Sequence, residues 1–129
     1  MNRILLIDDD QDYSSVIRMR LEEEGFEVEC DSNPEHAIKR LEKDFEFDLI
    51  ILDVEMPEKN GLSTLAHFKG HFNTRQPKGF DIPVLVATGL QSSKLRDIFE
   101  SQRVADYIQK PFESSVLVQK IKGILEKKG

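Results

Sequence analysis

The residues best suited to chemistry in this sequence stand directly after short apolar segments. They are Asp8, Asp9 and Asp10 after residues 4–7, Asp53 after residues 48–52, Thr88 after residues 82–87 and Lys110 after residues 106–109. Three adjacent carboxylates repel one another, so the triplet is either a solvated turn or the binding site of a cation. Each segment end is unremarkable by itself. Their shared position suggests that acids, a hydroxyl and an ammonium meet in the folded chain.

Between these residues the sequence alternates strand-like and helix-like segments. Continuous apolar runs are typical of strands buried on both faces, whereas the alternating pattern of residues 26–30 favours a strand nearer a sheet edge. The predicted strands are residues 4–7, 26–30, 48–52, 82–87 and 106–109. Helical periodicity follows each strand, at about residues 13–21, 34–41, 62–68, 93–101 and 113–127.

Turn and capping residues indicate where some of these elements end. Gly25 is suited to the left-handed residue that ends many helices, so the first helix should stop there. Asn33 and Pro34 open the second helix, because asparagine is a good N-cap and proline fits the first helical position. Residues 70–81 carry Pro77 and two glycines without periodicity and are predicted to form a loop.

Five strands alternating with five helices predict an α/β fold, in which helices cover both faces of a parallel sheet. The 129 residues contain no repeat or linker and fit a single domain over residues 1–129. Ligands of such sheets bind beyond the carboxyl ends of the strands. The side chains predicted to meet at that edge are Asp8, Asp9, Asp53, Thr88 and Lys110.

This set of side chains is suited to phosphoryl chemistry. Clustered carboxylates need a cation, and Mg²⁺ prefers oxygen ligands while keeping several of its waters. A metal ion and a neighbouring ammonium together offset the charge on phosphate oxygens during an in-line transfer. A carboxylate in such a site can itself be the nucleophile and form an acyl phosphate.

The overall composition narrows the class of protein. A formal net charge of −6 argues against a surface that binds nucleic acid or anionic lipid directly. Cys30 is the single cysteine, which excludes an internal disulfide and fits a reducing compartment. We interpret it as a small buried or half-buried strand residue rather than a nucleophile. The sequence shows no leader and no apolar run of membrane-spanning length, so a cytoplasmic location is expected.

Four motifs occur in a fixed order, IDDD, LDVEMPEKNG, VLVATG and DYIQKPF. Together they resemble the receiver domain of bacterial two-component response regulators, of the chemotaxis-regulator type, over nearly the whole chain. The resemblance implies a flavodoxin-like sheet in the order 2-1-3-4-5. It also implies that Asp53 accepts a phosphoryl group from a sensor histidine kinase or a histidine phosphotransfer protein. The group is then lost slowly, so the protein would be a phosphorylation switch and not a turnover enzyme.

The resemblance also assigns a Mg²⁺ site. Asp9 matches the direct metal ligand, and Asp8 matches the acid that helps to hold the ion through water. Asp53 and the backbone carbonyl of Glu55 match further ligands. Asp10 lies outside the acid pair and is interpreted as a helix cap or a solvated residue. The Glu55 side chain lies two residues past the acceptor and is expected to lengthen the life of the phosphorylated form.

Four more residues match the family's phosphoryl-binding and switching positions. Lys110 resembles the lysine that pairs with the phosphoryl group, and Pro111 the proline that follows it across a cis peptide bond. Thr88 resembles the switch hydroxyl that moves to a phosphoryl oxygen, and Tyr107 the switch aromatic that turns inward behind it. The expected output is a changed surface on the fourth helix, fifth strand and fifth helix, which would act on a downstream protein.

Some alternatives stay open at this level. The chain could be a stand-alone regulator or a receiver from a longer protein with an effector domain, and phosphorylation could drive formation of a homodimer. The loop at residues 70–81 could be a surface insertion or a partner-binding element. A Mg²⁺-dependent phosphohydrolase with an aspartyl nucleophile is the competing class. Its D-x-D-x-[TV] motif fits poorly, because Glu55 and Pro57 stand at the second acid and the Thr/Val position.

Overall fold

The computed structural model describes residues 2–43, 46–53, 82–88 and 104–128. The strands are β1 Arg3–Ile7, β2 Glu27–Asp31, β3 Leu49–Asp53, β4 Val84–Thr88 and β5 Asp106–Gln109. The helices within these ranges are α1 Gln11–Glu23, α2 Pro34–Lys43 and α3 Ser114–Lys128. The helices predicted near residues 62–68 and 93–101, and the loop predicted at 70–81, lie outside the described residues.

All five strands form one parallel sheet in the order β2-β1-β3-β4-β5, which confirms the predicted order. In the register of β1 and β3, Ile7 is paired with Leu52, and Asp53 is paired with Ala87 of β4. Every residue of the central strand β3 is buried, whereas β2 at the sheet edge is only partly covered. The carboxyl ends of the parallel strands therefore meet at one edge, as the position of the polar residues predicted.

Side chains that alternate along the strands build a separate core on each face of the sheet. The first core joins Leu5 and Ile7 to residues of α2, which are Ala37, Ile38 and Leu41. The second core joins Ile4 and Leu6 to residues of α1 and α3, which include Ile17, Leu21, Leu117, Val118, Ile121 and Ile124. The central strands are thus covered on both faces, which explains their uninterrupted apolar sequences.

Local hydrogen bonds fix both ends of α1, the helix that follows the acidic triplet. Asp10 is the N-cap, and its Oδ1 accepts a hydrogen bond of 3.0 Å from the Tyr13 N–H. At the other end Gly25 has a φ of +93°, and its N–H donates to the Glu22 carbonyl. The Phe26 N–H donates to the Leu21 carbonyl, which completes a Schellman motif. Gly25 therefore ends the helix as predicted.

The second helix begins as the sequence predicts. The Asn33 Oδ1 accepts a hydrogen bond of 2.9 Å from the His36 N–H, and Pro34 is the first helical residue. Cys30 on β2 is a half-buried free thiol, and burial raises its pKa, which does not favour a nucleophilic thiolate. Among the described helices, none has the length and apolar character needed to cross a membrane.

Replacing Asp10 with alanine should lower the free energy of unfolding by about 1 kcal/mol, because the Tyr13 N–H loses its acceptor at the start of α1. Asp10→Asn keeps a side-chain oxygen acceptor and should stay close to wild type. Urea unfolding of the metal-free protein measures both variants. Equal losses in the two variants would show that the charge of Asp10, and not its capping hydrogen bond, is what stabilises the helix.

Candidate functional site

The structure brings three of the predicted acids together at the carboxyl edge of the sheet. Asp8 and Asp9 follow β1, and Asp53 is the last residue of the neighbouring strand β3. Carboxylate oxygens from the three side chains all lie within 4.8 Å of one another. Asp8 and Asp53 are 3% and 4% exposed, whereas Asp9 faces solvent. The cluster therefore has a buried side and an open side.

Lys110 lies against the two buried acids. It follows β5, and its Nζ is 3.3 Å from the Asp53 Oδ2 and 3.7 Å from the Asp8 Oδ2. The peptide bond between Lys110 and Pro111 is cis. The Lys110 side chain is mostly covered, with 21% of it exposed. Its charge is therefore screened less by water than at an open surface, and it offsets part of the negative charge of the two acids.

The buried Asp8 carboxylate differs from an ordinary surface acid. The pKa of Asp8 is raised from 3.8 to about 6, chiefly by burial and in part by the nearby Asp53 carboxylate, while the hydrogen bond from the Asp10 N–H and the charge of Lys110 oppose the rise. The charged form of Asp8 is therefore disfavoured in the folded chain. A cation bound between the acids would offset the repulsion between the Asp8 and Asp53 carboxylates.

Asp8 is held in place by one hydrogen bond to its backbone and one to its carboxylate. Its N–H donates a 3.1 Å hydrogen bond to the Asp31 carbonyl on β2, and its Oδ1 accepts from the Asp10 N–H at 2.9 Å. The Asp31 carboxylate is in turn bound by Arg40 of α2 through two hydrogen bonds of 2.8 and 3.0 Å. This bidentate ion pair ties the edge strand to α2 directly beside the acid cluster.

For the two predicted switch residues, the structure describes the backbone of Thr88 and the whole of Tyr107. Thr88 is the last residue of β4, in register with Gln109 just before Lys110, and its side chain lies outside the described atoms. Tyr107 on β5 is half-buried and packs against the core cluster that contains Ile7 and Val86. Glu55, whose carbonyl was predicted to be a metal ligand, lies outside the described residues.

The donor atoms of the cluster fit a hard divalent cation. Asp8, Asp9 and Asp53 offer carboxylate oxygens only, which is the donor type that Mg²⁺ and Ca²⁺ prefer over softer metals. One exposed acid beside two buried ones leaves room for an ion that keeps part of its water shell. The residues present are therefore suited to the Mg²⁺ that the sequence predicts.

One residue at the site, Tyr13, was predicted from the sequence only as part of the first helix and was not assigned to the site. Its ring lies beside Lys110, with the Lys110 Nζ 4.9 Å from the ring centroid. Burial and the carboxylates of Asp8, Asp53 and Asp10 raise the pKa of Tyr13 to about 12, so its phenol stays protonated. An aromatic residue in the first turn of a helix that starts at this edge was the available signal.

Comparison with known proteins agrees with this geometry. Residues 4–122 match the family model described as the response regulator receiver domain. The chain belongs to this family. Receiver domains act as signalling switches in two-component response regulators, receive phosphoryl groups from sensor histidine kinases and generally bind Mg²⁺. The comparisons give no support to the phosphohydrolase alternative.

Individual relatives show how far the similarity of this receiver domain extends. The transcriptional regulatory protein CpxR of Escherichia coli is 37% identical over 127 residues, which cover 98% of this chain and 50% of CpxR. The chain thus spans about half the length of the curated relatives it matches. A CheY-like receiver domain protein from Methanospirillum hungatei is 28% identical, with a TM-score of 0.82 over 100% of this chain and 99% of the other.

A second solved structure supports the fold alone. The two-component response regulator from Clostridium difficile is 23% identical, with a TM-score of 0.85 over 100% of this chain and 99% of the other. Together with the strand order β2-β1-β3-β4-β5, this similarity shows the doubly wound receiver fold.

Proposed function

We propose that Asp53 is the phosphoacceptor of this receiver domain. The observation that carries the proposal is the position of its carboxylate, which is buried at a strand end and 3.3 Å from the Lys110 ammonium. The other two acids of the cluster approach Asp53 to within 4.8 Å and would hold the metal ion rather than react. Asp8 also lies near Lys110, at 3.7 Å, but Asp53 is the closer of the two, at 3.3 Å, and ends the central strand β3 beside the other acids.

In the proposed reaction an Asp53 carboxylate oxygen attacks the phosphorus of a phosphohistidine. The new P–O bond forms as the P–N bond breaks, and the histidine nitrogen keeps the bonding electron pair and leaves as neutral imidazole, whose other ring nitrogen carries a proton throughout. With acetyl phosphate as donor, acetate leaves in its place. Lys110 donates a hydrogen bond to a phosphoryl oxygen and offsets the charge that spreads over these oxygens in the transition state.

Asp9 and Asp53 would hold Mg²⁺ directly, with Asp8 acting through water and the Glu55 carbonyl as a further ligand. When bound, the ion supplies positive charge opposite the phosphoryl oxygens and orients the group for in-line transfer. Asp8 must also be ionised to attract the metal ion. The hydrogen bond that it accepts from the Asp10 N–H and its contact with Lys110 stabilise the charged form.

Phosphorylation is proposed to act through Thr88 and Tyr107. Thr88 would hydrogen-bond to a phosphoryl oxygen, and Tyr107 would turn inward behind it and change the surface of the fourth predicted helix, β5 and α3. Shifting such a switch from 1:99 to 99:1 requires roughly 5.5 kcal/mol of differential stabilisation. A doubly charged group bound by Lys110, Thr88 and Mg²⁺ is of the kind that can supply this energy.

The proposed biological setting follows the family. A sensor histidine kinase or a histidine phosphotransfer protein in the cytoplasm would phosphorylate this single domain of residues 1–129, and the domain would dephosphorylate itself slowly. The output is contact with a downstream protein or an attached effector domain, with a homodimer as one form of the active state. The formal net charge of −6 is unfavourable for direct contact with nucleic acid or an anionic membrane.

Intact mass spectrometry after incubation with acetyl phosphate and Mg²⁺ tests the proposed acceptor. Wild-type protein should gain one phosphoryl group, and Asp53→Asn should gain none, because an amide oxygen is a poor nucleophile and would not give a stable acyl phosphate. Asp48→Asn is the control, since Asp48 lies before β3, where its carboxylate accepts from the Arg3 N–H at 2.7 Å. A phosphoryl adduct that persists in Asp53→Asn would exclude Asp53 as the acceptor.

A further inference from the structure

The aromatic ring of Tyr13 is a third neighbour of the Lys110 ammonium, beside the two carboxylates. The distance of 4.9 Å from the Lys110 Nζ to the ring centroid lies within the range of about 6 Å for a cation–π interaction. The lysine side chain is 21% exposed, so the attraction is weakened by water less than at an open surface. The ring and the carboxylates of Asp8 and Asp53 together define where the ammonium lies.

Two further contacts hold Tyr13 in place, one to its backbone and one to its ring. The Tyr13 N–H is bound to the N-cap Asp10, which fixes the first turn of α1. Phe112, two residues after Lys110, meets the Tyr13 ring edge to face, with centroids 6.0 Å apart and an angle of 81°. Tyr13 therefore contacts the segment after β5 at two points, through the ammonium and through the Phe112 ring.

The ring differs from the carboxylates in one respect that matters for the reaction. Asp53 loses its free carboxylate when it is phosphorylated, and Asp8 would share its charge between Lys110 and a bound metal ion. The Tyr13 ring is neutral and does not change during either event. It can therefore hold the ammonium at the same place before and after phosphorylation, which the carboxylates cannot.

We propose that Tyr13 is a positioning residue, whose ring face holds the Lys110 ammonium against Asp53 so that it meets the incoming phosphoryl group. The proposal rests on the proposed function of Asp53 and goes beyond it, because it assigns a role to a helix residue outside the motifs that carry the family resemblance. It requires the face of an aromatic ring and does not require the phenol hydroxyl. Phenylalanine should therefore replace Tyr13, whereas leucine should not.

The first test uses NMR of the metal-free protein with ¹³C-labelled lysine, with Lys110 assigned by its loss in Lys110→Met. In wild type the ring current should shift the Lys110 ε-methylene protons upfield, and Tyr13→Phe should keep the shift. Tyr13→Leu should move these signals to the position of a free lysine. Phe47→Leu is the matched control, because it removes the ring that faces Arg3 at 4.4 Å, near the start of β1, and should leave Lys110 unchanged.

The second test measures affinity for beryllofluoride, a phosphoryl mimic, in the presence of Mg²⁺. Tyr13→Leu should weaken binding roughly three- to tenfold, and Tyr13→Phe should stay within about twofold of wild type. Thermal unfolding of each variant checks that the domain remains folded, and Phe47→Leu shows how far a loss of stability by itself changes the affinity.

The results separate this proposal from the proposed function. If wild type fails to bind beryllofluoride, the role of Asp53 is wrong, and the Lys110 signals in the metal-free protein still decide whether the ring positions the ammonium. If wild type binds and Tyr13→Leu shows unchanged Lys110 signals and affinity, the positioning role is wrong while the acceptor role stands. A loss of the Lys110 shift in Tyr13→Phe as well would assign the effect to the hydroxyl and overturn the proposal.

Discussion

Lys110→Met should slow phosphorylation by acetyl phosphate roughly 100-fold, which is the usual effect of removing one charged or hydrogen-bonding group from a developing oxyanion. The ammonium lies 3.3 Å from the Asp53 Oδ2, so a phosphoryl group attached there would be within reach of its hydrogen bonds. Methionine keeps most of the length of the side chain but carries no charge. Lys110→Met therefore removes the charge while it keeps most of the side-chain volume.

Loss of the phosphoryl group should also slow in Lys110→Met, since both steps pass through a transition state with charge on the same three oxygens. The rates of phosphoryl gain and loss can be followed by intact mass in the presence of Mg²⁺ and then after removal of the donor. Lys122→Met is the control, because it removes a lysine that pairs with Glu24 at 3.3 Å on an exposed part of α3. Wild-type rates in Lys110→Met would show that the ammonium does not contact the phosphoryl group.

Asp8→Asn should stabilise the metal-free domain at pH 7, although it removes an acid from the candidate metal site. The pKa of Asp8 is raised from 3.8 to about 6 in the folded chain, chiefly by burial. The folded state therefore binds the proton more tightly than the unfolded state, and stability falls as the pH rises from about 4 to about 6. At pH 7 the raised pKa lowers the free energy of unfolding by roughly 2–3 kcal/mol, since one pKa unit corresponds to about 1.4 kcal/mol.

Asparagine fits this site because its side-chain oxygen can still accept the 2.9 Å hydrogen bond from the Asp10 N–H. Lys110 keeps its closer partner, Asp53. Urea unfolding between pH 4 and pH 8 should show a decline in wild type that is much smaller in Asp8→Asn. Adding Mg²⁺ should stabilise wild type much more than the variant, because the ion offsets the repulsion that the variant no longer has.

Asp12→Asn is the matched control for Asp8→Asn, since it removes one negative charge from an exposed position in the first turn of α1. Its stability should stay within about 0.5 kcal/mol of wild type at each pH. If Asp8→Asn and Asp12→Asn change stability equally, net charge and not the burial of Asp8 explains the effect. If Asp8→Asn is less stable than wild type at pH 7, the ionised carboxylate is favourable in the fold.

The sequence by itself determined the sheet and the edge at which the site lies. Apolar runs such as residues 49–52 have the pattern of strands covered on both faces, and the alternation of strands and helices admits few topologies. Gly25 and Asn33 marked helix ends because backbone geometry at caps depends on local residue type. The parallel direction of the strands then required the polar residues that follow them to share one edge.

Only the tertiary structure decided how these residues interact. The triplet Asp8, Asp9 and Asp10 looks uniform in sequence, yet it contains a buried acid, an exposed acid and a helix cap, because the chain passes from the end of β1 to the start of α1 within these three residues. The raised pKa of Asp8 depends on burial and on Asp53, 45 residues away in the chain. The sequence around Asp8 does not show which distant residues lie close to it in the folded chain.

Tyr13 is the clearest example of a residue whose contacts the sequence did not predict. Its sequence position predicts an apolar residue of a helix, and that interpretation explains its half-buried side chain. Its contacts with Lys110 and Phe112 join residues almost 100 positions apart, and they arise only because α1 and the segment after β5 start from the same edge of the sheet. Sequence spacing determined which side chains reach that edge, and packing between distant segments determined which of them touch.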